Sequence, residues 1–297
     1  MRIGIRTFVT ADTVPADRVA VKCESLGFES MWVCDHPILP VHHRLAPTRV
    51  DARVGISGHQ MPEYYRAVPD PFVLLTQAGA VTRRIKLGTG ICLVPEREPI
   101  GLAKTVATLD MCTGGRMLFG IGAGGIPLES EVMGVEYRRR WPMTREYIRA
   151  MKELWTVHES SFDGEFIKFP PVYCYPKPVQ KPHPPIIIGA GGIGASSSRA
   201  LKDTAALGDG WGPVSIGPAE LGRDLATLKN LCQQAGRNFE QIEITIFSPV
   251  EQPDPRRTIA EYEAAGAHRL VFMVIPTHLK DEQMIENLAR RYLDRNR

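Results

Sequence analysis

Asp35 and His36 stand together at the end of the apolar run MWVCDH, and this pair could transfer a proton. An imidazole takes up or releases a proton near physiological pH, and a neighbouring carboxylate can orient the ring. A histidine by itself is ordinarily structural, so the adjacent acid is what makes His36 a candidate. We therefore predict that Asp35 and His36 are catalytic residues that act as a general acid or base.

Three further histidines in the following segment raise the alternative of a metal site. They are His42, His43 and His59. A metal centre needs several nitrogen, oxygen or sulfur ligands that converge in space. The other predicted strand ends supply few carboxylates and no second histidine, so we predict no bound metal.

The hexapeptide IGAGGI occurs twice, at 121–126 and at 188–193. Glycine allows a backbone to approach a ligand closely. The second copy is followed by serines at 196–198 that open a helix, whose N-terminus favours an anion. We predict a phosphate-binding cradle at the second copy, with the first copy as another wall. The alternative is that the glycines only permit tight exits from strands and the serines only cap the helix.

A Rossmann site must also be considered, because Gly189, Gly191 and Gly194 fit G-x-G-x-x-G. Asp209 lies twenty residues after Gly189. In a Rossmann fold this acid ends the next strand, whereas Asp209 precedes one. Four strand–helix units already come before the motif, so the pattern favours a different fold.

The elements that would position these residues are eight short β-rich runs alternating with helical patterns. The runs begin at Arg2, Ser30, Ile85, Arg116, Pro185, Gly210, Ile242 and Arg269. The clearest helical period covers 144–155, and Pro99 and Pro255 each open a further helix. This alternation predicts an α/β fold, a (β/α)8 TIM barrel with chemistry at the carboxyl ends of its strands.

The barrel is predicted to form a single domain over 1–297 with two insertions. One insertion follows the second strand at about 36–69, and the other precedes the fifth strand at about 156–184. The latter carries Asp163-Gly164, which is a hairpin turn signal. Both insertions are expected to lie over a barrel end and to close the mouth.

Composition excludes several classes of partner. The formal net charge is only +3, which gives no argument for nucleic-acid binding. No apolar run approaches the about 18 residues of a membrane span, and the N-terminus reads as a strand rather than a signal peptide. The six cysteines form no C-x-x-C pair. We predict a cytoplasmic protein that acts on a small molecule, without nucleic-acid or membrane partners.

The combined pattern resembles the bacterial luciferase-like family of flavin and deazaflavin barrels. The resemblance rests on GFESMWVCDH, on IKLGTGICLVPEREPIGLAKTVATLDMCTGGRMLFGIGAGG and on PPIIIGAGGIGASSSRALKDTAALGDGW. Each motif is modest alone, but their order and spacing are specific. Among the branches, the chain looks most like the oxidoreductases that depend on coenzyme F420.

The resemblance implies a cofactor site and a homodimer. It implies a non-prolyl cis peptide at Gly90-Ile91, behind the central cofactor ring. It places Asp35 and His36 towards the deazaflavin and substrate. The residues implied to line the phosphate side are Gly124, Gly125, Gly191, Gly192 and Ile193.

The function that follows is hydride transfer between C5 of coenzyme F420 and a small organic substrate, with His36 handling the proton. Sugar-phosphate dehydrogenases of the family carry glutamate at position 125 and asparagine at position 128, where this chain has Gly125 and Leu128. Glu129 or Glu131 could supply the missing acid. The alternatives are an FMN-dependent monooxygenase of the same family and a non-catalytic deazaflavin-binding barrel.

Overall fold

The structure is a computed structural model that describes residues 1–43, 61–189, 198–250, 252 and 254–293. Within these residues, the parallel sheet has nine strands, of which Cys92–Leu93 pairs only with Ile121 and Gly122 and the other eight form one wall. They are β1 (Arg2–Thr7), β2 (Ser30–Val33), β3 (Lys86–Thr89), β4 (Met117–Gly122), β5 (Ile186–Ile188), β6 (Gly210–Trp211), β7 (Glu243–Pro249) and β8 (Arg269–Val274). All eight lie on the β-rich runs that the sequence predicted.

The wall closes into a barrel between β3 and β4. Neighbouring strands pair in the order β3, β2, β1, β8, β7, β6, β5, β4. Leu87 opposite Met117 completes the ring. Strands covered on both faces carry continuous apolar runs, which explains why the sequence shows little alternation. The predicted (β/α)8 TIM barrel is confirmed.

Helices surround the barrel. They are α1 (Ala16–Leu26), α2 (Pro71–Val81), α3 (Pro99–Cys112), α4 (Pro127–Val132), α5 (Arg140–Thr156), α6 (Ser198–Leu207), α7 (Pro218–Gln234), α8 (Pro255–Ala264) and α9 (Gln283–Tyr292). The proline signals mark the starts of α3 and α8 correctly. The helix predicted over 144–155 begins four residues earlier, at Arg140.

A separate cluster of buried apolar side chains lies inside the barrel. Its members are Trp32, Leu118, Ile187, Phe247 and Val271, each from a different strand. The rings of Trp32 and Phe247 meet edge to face with centroids 5.4 Å apart.

The described part of the first insertion, residues 36–43 and 61–69, lies at the carboxyl end of β1. This part includes a short 3-10 helix, Glu63–Ala67. Tyr64 and Tyr65 from this turn place their ring centroids 5.1 and 5.0 Å from that of Phe8, which follows the end of β1. Residues 44–60, which include His59, lie outside the described residues.

The second insertion contains the predicted hairpin, formed by antiparallel strands Ser160–Asp163 and Lys168–Val172. The expectation that it closes the mouth is wrong. The Gln180 side-chain amide donates to the carbonyl of Met117, which begins β4, over 2.8 Å. The Gln180 backbone N–H donates to Asp110, near the end of α3, over 2.9 Å. The second insertion runs from the end of α5 to the start of β5. It therefore contacts the barrel at its N-terminal face, where the strands begin.

None of the helices in the described part of the chain is long and apolar enough to cross a membrane.

Candidate active site

His36 forms its closest polar contact with Glu129 rather than with its neighbour Asp35. The Nδ1 atom of His36 lies 2.9 and 3.0 Å from the two carboxylate oxygens of Glu129. The His36 side chain is 12% exposed, whereas that of Glu129 is fully buried. β2 presents His36 at its carboxyl end, and Glu129 comes from the short helix α4 after β4. A carboxylate at Nδ1 makes this nitrogen the donor and leaves Nε2 to accept or deliver a proton.

Asp35 is bound to Arg97. Arg97 donates from Nη2 to one carboxylate oxygen over 2.7 Å and from Nε to the other over 2.9 Å. The backbone N–H of Leu93 donates to the same carboxylate over 3.1 Å. Arg97 also bridges to Asp70, the N-cap of α2, over 2.8 Å. Because both oxygens of Asp35 are engaged, it ties the loops after β2 and β3 together and positions the segment that carries His36.

Glu96 is a third acid at this end of the barrel, and the sequence interpretation missed it. It follows β3 and is only 3% exposed. Its Oε1 accepts a hydrogen bond of 2.8 Å from the Ser130 hydroxyl, while Oε2 has no partner within the described residues. Burial, followed by the negative charge of Glu129, raises the pKa of Glu96 to about 8. Glu96 is therefore a carboxylic acid at neutral pH. The signal for it was the charged segment PEREP directly after the third strand.

Ile91 lies against the first glycine of each IGAGGI copy. A Cβ on Gly122 would lie 2.0 Å from Ile91 Cδ1, and one on Gly189 would lie 2.4 Å from Ile91 Cγ2. Any side chain at either position would displace Ile91. The Gly90-Ile91 peptide bond is cis, as the resemblance implies.

The predicted phosphate side is only partly within the described residues. Gly124 and Gly125 are partly exposed at the mouth, and Gly124 has a φ of +80°. Arg140 donates from Nε to the Gly124 carbonyl over 3.1 Å, which anchors this loop to the start of α5. Gly191, Gly192 and Ile193 lie outside the described residues, so the cradle predicted there stays a prediction.

The mouth combines apolar surface with buried polar atoms, and a planar cofactor ring with a polar edge requires both. Ile91 and Val214 offer partly exposed apolar surface at the strand ends. Among the buried polar atoms that have no hydrogen-bond partner within the described residues, Glu96 Oε2 and Ser215 Oγ lie at this end of the barrel. Apolar walls with a few convergent polar groups are typical of cofactor sites, so these residues fit a flavin or deazaflavin.

The described residues contain no group of three histidine, cysteine or acidic side chains that could hold a metal ion. His43, one of the histidines considered as a ligand, has both ring nitrogens occupied by backbone groups. Its Nδ1 contacts the Pro40 carbonyl at 2.8 Å, and its Nε2 accepts from the Met61 N–H over 3.0 Å. His43 therefore shapes the first insertion.

The sequence model of the luciferase-like monooxygenases matches residues 11–291. This chain, a barrel with an imidazole–carboxylate pair at its mouth, belongs to the luciferase-like monooxygenase family.

The names of similar proteins describe two kinds of chemistry, dehydrogenation and monooxygenation. An uncharacterized protein of Mycobacterium tuberculosis (strain ATCC 25618 / H37Rv) is 35% identical over 274 residues, which cover 92% of this chain and 91% of that protein. The F420-dependent glucose-6-phosphate dehydrogenase of Kineococcus radiotolerans is 28% identical over 292 residues, covering 92% of this chain and 77% of that enzyme. The crystal structure of a monooxygenase from Streptomyces bottropensis superposes with a TM-score of 0.73 at 21% identity, covering 99% of both chains.

The raised pKa of Glu96 predicts a pH-dependent stability that Glu96→Gln should remove. The pKa of this carboxyl rises from its ordinary value of 4.5 to about 8 in the folded protein. The folded state therefore binds more protons between these values, and wild-type stability should fall as pH rises through this window, by up to about 1.4 kcal/mol per pH unit. Urea unfolding at about pH 5 and about pH 8 measures the effect.

Glu131→Gln is the matched control, because Glu131 is exposed on the same helix as Glu129. We expect Glu96→Gln to gain stability over wild type as the pH rises, while Glu131→Gln follows wild type. Parallel stability curves for wild type and Glu96→Gln would contradict a protonated Glu96.

Proposed function

We propose that this protein is a coenzyme F420-dependent oxidoreductase that acts on a small organic substrate. The observation that carries the proposal is the contact between His36 and Glu129. It leaves a partly exposed imidazole at the strand ends, oriented by a buried acid. A bound deazaflavin would supply hydride transfer through its C5. The chain would supply the proton, the position of the reactants and a site protected from water.

Each residue of the site has a distinct task in this proposal. His36 gives or takes the proton at Nε2, while Glu129 holds the ring through Nδ1. The neutral carboxyl of Glu96 avoids a second negative charge beside Glu129. Tyr65, whose ring centroid lies 5.2 Å from that of His36, covers the imidazole and limits access by water.

An FMN-dependent monooxygenase is the second candidate. It is supported by the description of the family and by the fold shared with the Streptomyces monooxygenase. The same imidazole could serve either reaction, since both need a positioned acid or base near a planar ring. The F420 candidate ranks first because the Kineococcus enzyme matches most of the chain in sequence as well.

Titration of the purified protein with coenzyme F420 and, separately, with FMN tests the proposal. We expect absorbance and fluorescence to report saturable binding of F420 and at least about tenfold weaker binding of FMN, a difference of about 1.4 kcal/mol. Selective FMN binding, with oxygen consumed when the flavin is reduced, would replace the proposal by the monooxygenase. Binding of neither cofactor would contradict both candidates.

Three features implied earlier stay predictions: the homodimer, the cytoplasmic location and the single domain. Light scattering of the purified protein measures the first of these directly.

A further inference from the structure

Arg6 places a guanidinium inside the mouth of the barrel. It belongs to β1, and its Cδ lies 3.6 Å from the position that a Cβ on Gly90 would take. Its Cζ lies 4.9 Å from the ring centroid of Phe8 and 5.9 Å from that of Phe247. Arg6 is only partly buried, so this part of the mouth remains accessible to solvent.

This guanidinium has no anionic partner in the part of the chain that the structure describes. No carboxylate oxygen of those residues lies within 4.0 Å of it. Its hydrogen bond within the described residues runs from Nη1 to the thioether sulfur of Met273 at 3.5 Å, and sulfur is a weak acceptor. The side chains of Cys34 and Tyr65 also lie beside the guanidinium, and neither is a carboxylate. The Nε atom of Arg6 is buried without a partner. Contacts with aromatic rings compensate only part of the lost hydration.

Two other arginines of the barrel show what Arg6 lacks. Arg97 is held by Asp35 and Asp70, and Arg269 by Glu29 and Glu243. Charges removed from water are normally paired in this way. A cation left without a counterion among aromatic walls attracts an anionic ligand, because the surroundings screen its field weakly.

Arg6 and His36 border the same aromatic cluster. The ring centroids of His36 and Tyr65 are 5.2 Å apart, and those of Tyr65 and Phe8 are 5.0 Å apart. Arg6 lies over Phe8 and also beside Tyr65. Since Tyr65 contacts both Arg6 and His36, a ligand in the mouth that reaches past this ring can be held by the guanidinium and exchange a proton with the imidazole.

We propose that Arg6 is the binding subsite for a carboxylate on the substrate. The guanidinium fork matches a carboxylate through two parallel hydrogen bonds, and this geometry gives affinity and orientation together. The subsite rests on the proposed function in one respect, namely that the bound anion is the substrate of a cofactor-dependent reaction. It narrows that substrate to a small organic acid.

Calorimetric titration with small acids and their neutral counterparts tests the subsite. The probes are acetate and benzoate, with ethanol and benzyl alcohol as neutral controls, each added with and without coenzyme F420. The variants are Arg6→Met, which removes the charge, and Arg6→Lys, which keeps the charge but removes the fork. Arg18→Met is the matched control, because Arg18 is an exposed arginine paired with Glu282.

We expect wild type to bind benzoate at least about tenfold more tightly than benzyl alcohol. Arg6→Met should abolish this preference, Arg6→Lys should retain part of it, and Arg18→Met should leave it unchanged. Thermal unfolding confirms that each variant is folded. If Arg6→Met does not fold, the comparison of Arg6→Lys with wild type carries the test.

Two results would overturn the subsite: equal affinity of wild type for the acid and the alcohol, or a preference that survives in Arg6→Met. If Arg6→Met loses F420 affinity but keeps the preference for benzoate, the guanidinium serves the cofactor and the assignment to substrate is wrong. Wild type that binds neither F420 nor FMN, yet shows an Arg6-dependent preference for benzoate, would refute the proposed function and support the anion subsite.

Discussion

Turnover by the His36→Gln variant is expected to fall by about 10²- to 10⁴-fold, while its affinity for the cofactor changes by no more than about threefold. Glutamine keeps a donor for the buried carboxylate of Glu129 but cannot exchange a proton at the position of Nε2. The proposed proton transfer is therefore lost, whereas the cofactor contacts predicted for the glycine loops should remain. Steady-state kinetics with reduced coenzyme F420, together with a cofactor titration of each variant, measures the two effects separately.

His42→Gln is the matched control, because His42 is an exposed histidine in the same segment. Its turnover should equal that of wild type. A second variant, His36→Ala, leaves space for a free base, so added imidazole should restore part of its activity. A purely structural histidine would show no such rescue. Full turnover in His36→Gln would refute the assignment.

Arg269→Met is expected to lower the free energy of unfolding by about 3 kcal/mol, because it leaves two carboxylates near the N-terminal end of the barrel without their cation. Arg269 is 1% exposed. It donates to Glu29 from Nη2 over 2.8 Å and from Nε over 2.7 Å, and it also pairs with Glu243. The side chains of both carboxylates are 25% exposed, and this solvation limits the loss in free energy of unfolding. The shift of the urea midpoint measures the loss.

Arg257→Met tests whether the loss of stability in Arg269→Met comes from the burial of the ion pair. Arg257 pairs with Glu261 one helical turn away, and its side chain is 75% exposed. Its replacement should change stability by less than about 0.5 kcal/mol, as is usual for surface ion pairs. A loss in Arg269→Met as small as in this control would contradict the importance of the buried network.

The Arg269 network also predicts a dependence on acid. Burial would raise the pKa of Glu29, but the hydrogen bonds and charge of Arg269 outweigh it and lower that pKa. A carboxyl with a depressed pKa contributes its full stability above the ordinary pKa of 4.5, and this contribution disappears as the pH falls through the lower pKa of the folded protein. The difference between wild type and Arg269→Met should therefore shrink below about pH 4.

The proton-transfer group and its partner illustrate the limit of local sequence. His36 was singled out because Asp35 precedes it, yet Asp35 is bound by Arg97 and the acid that meets His36 is Glu129. Residues that are 93 positions apart meet because parallel strands of a closed barrel end at one rim. Glu129 was only one of two loop acids considered, since no local pattern distinguished it from Glu131.

The glycines of the repeated hexapeptide do allow a close approach to the backbone, as predicted. The group that approaches the first glycine of each copy is a side chain of the protein and not a ligand. Gly122 and Gly189 both accommodate Ile91, on a loop that the repeat gives no reason to consider. The error about the second insertion has a similar origin. Its prolines and hairpin signal were visible in the sequence. The end of the barrel that it contacts is decided by its connection from a helix to the next strand, because strands begin at the N-terminal face.

What the sequence by itself determined is the order of elements and the end of the barrel at which His36 and the first IGAGGI copy lie. Eight apolar runs, the proline and glycine signals and MWVCDH are local features, and each acts within a few residues. What only the tertiary structure decided is the pairing of charges: Glu129 with His36, a protonated Glu96 beside them, and Arg6 without a counterion among the described residues. These depend on distances and burial across the barrel, because the free energy of a charge is determined by its surroundings in space.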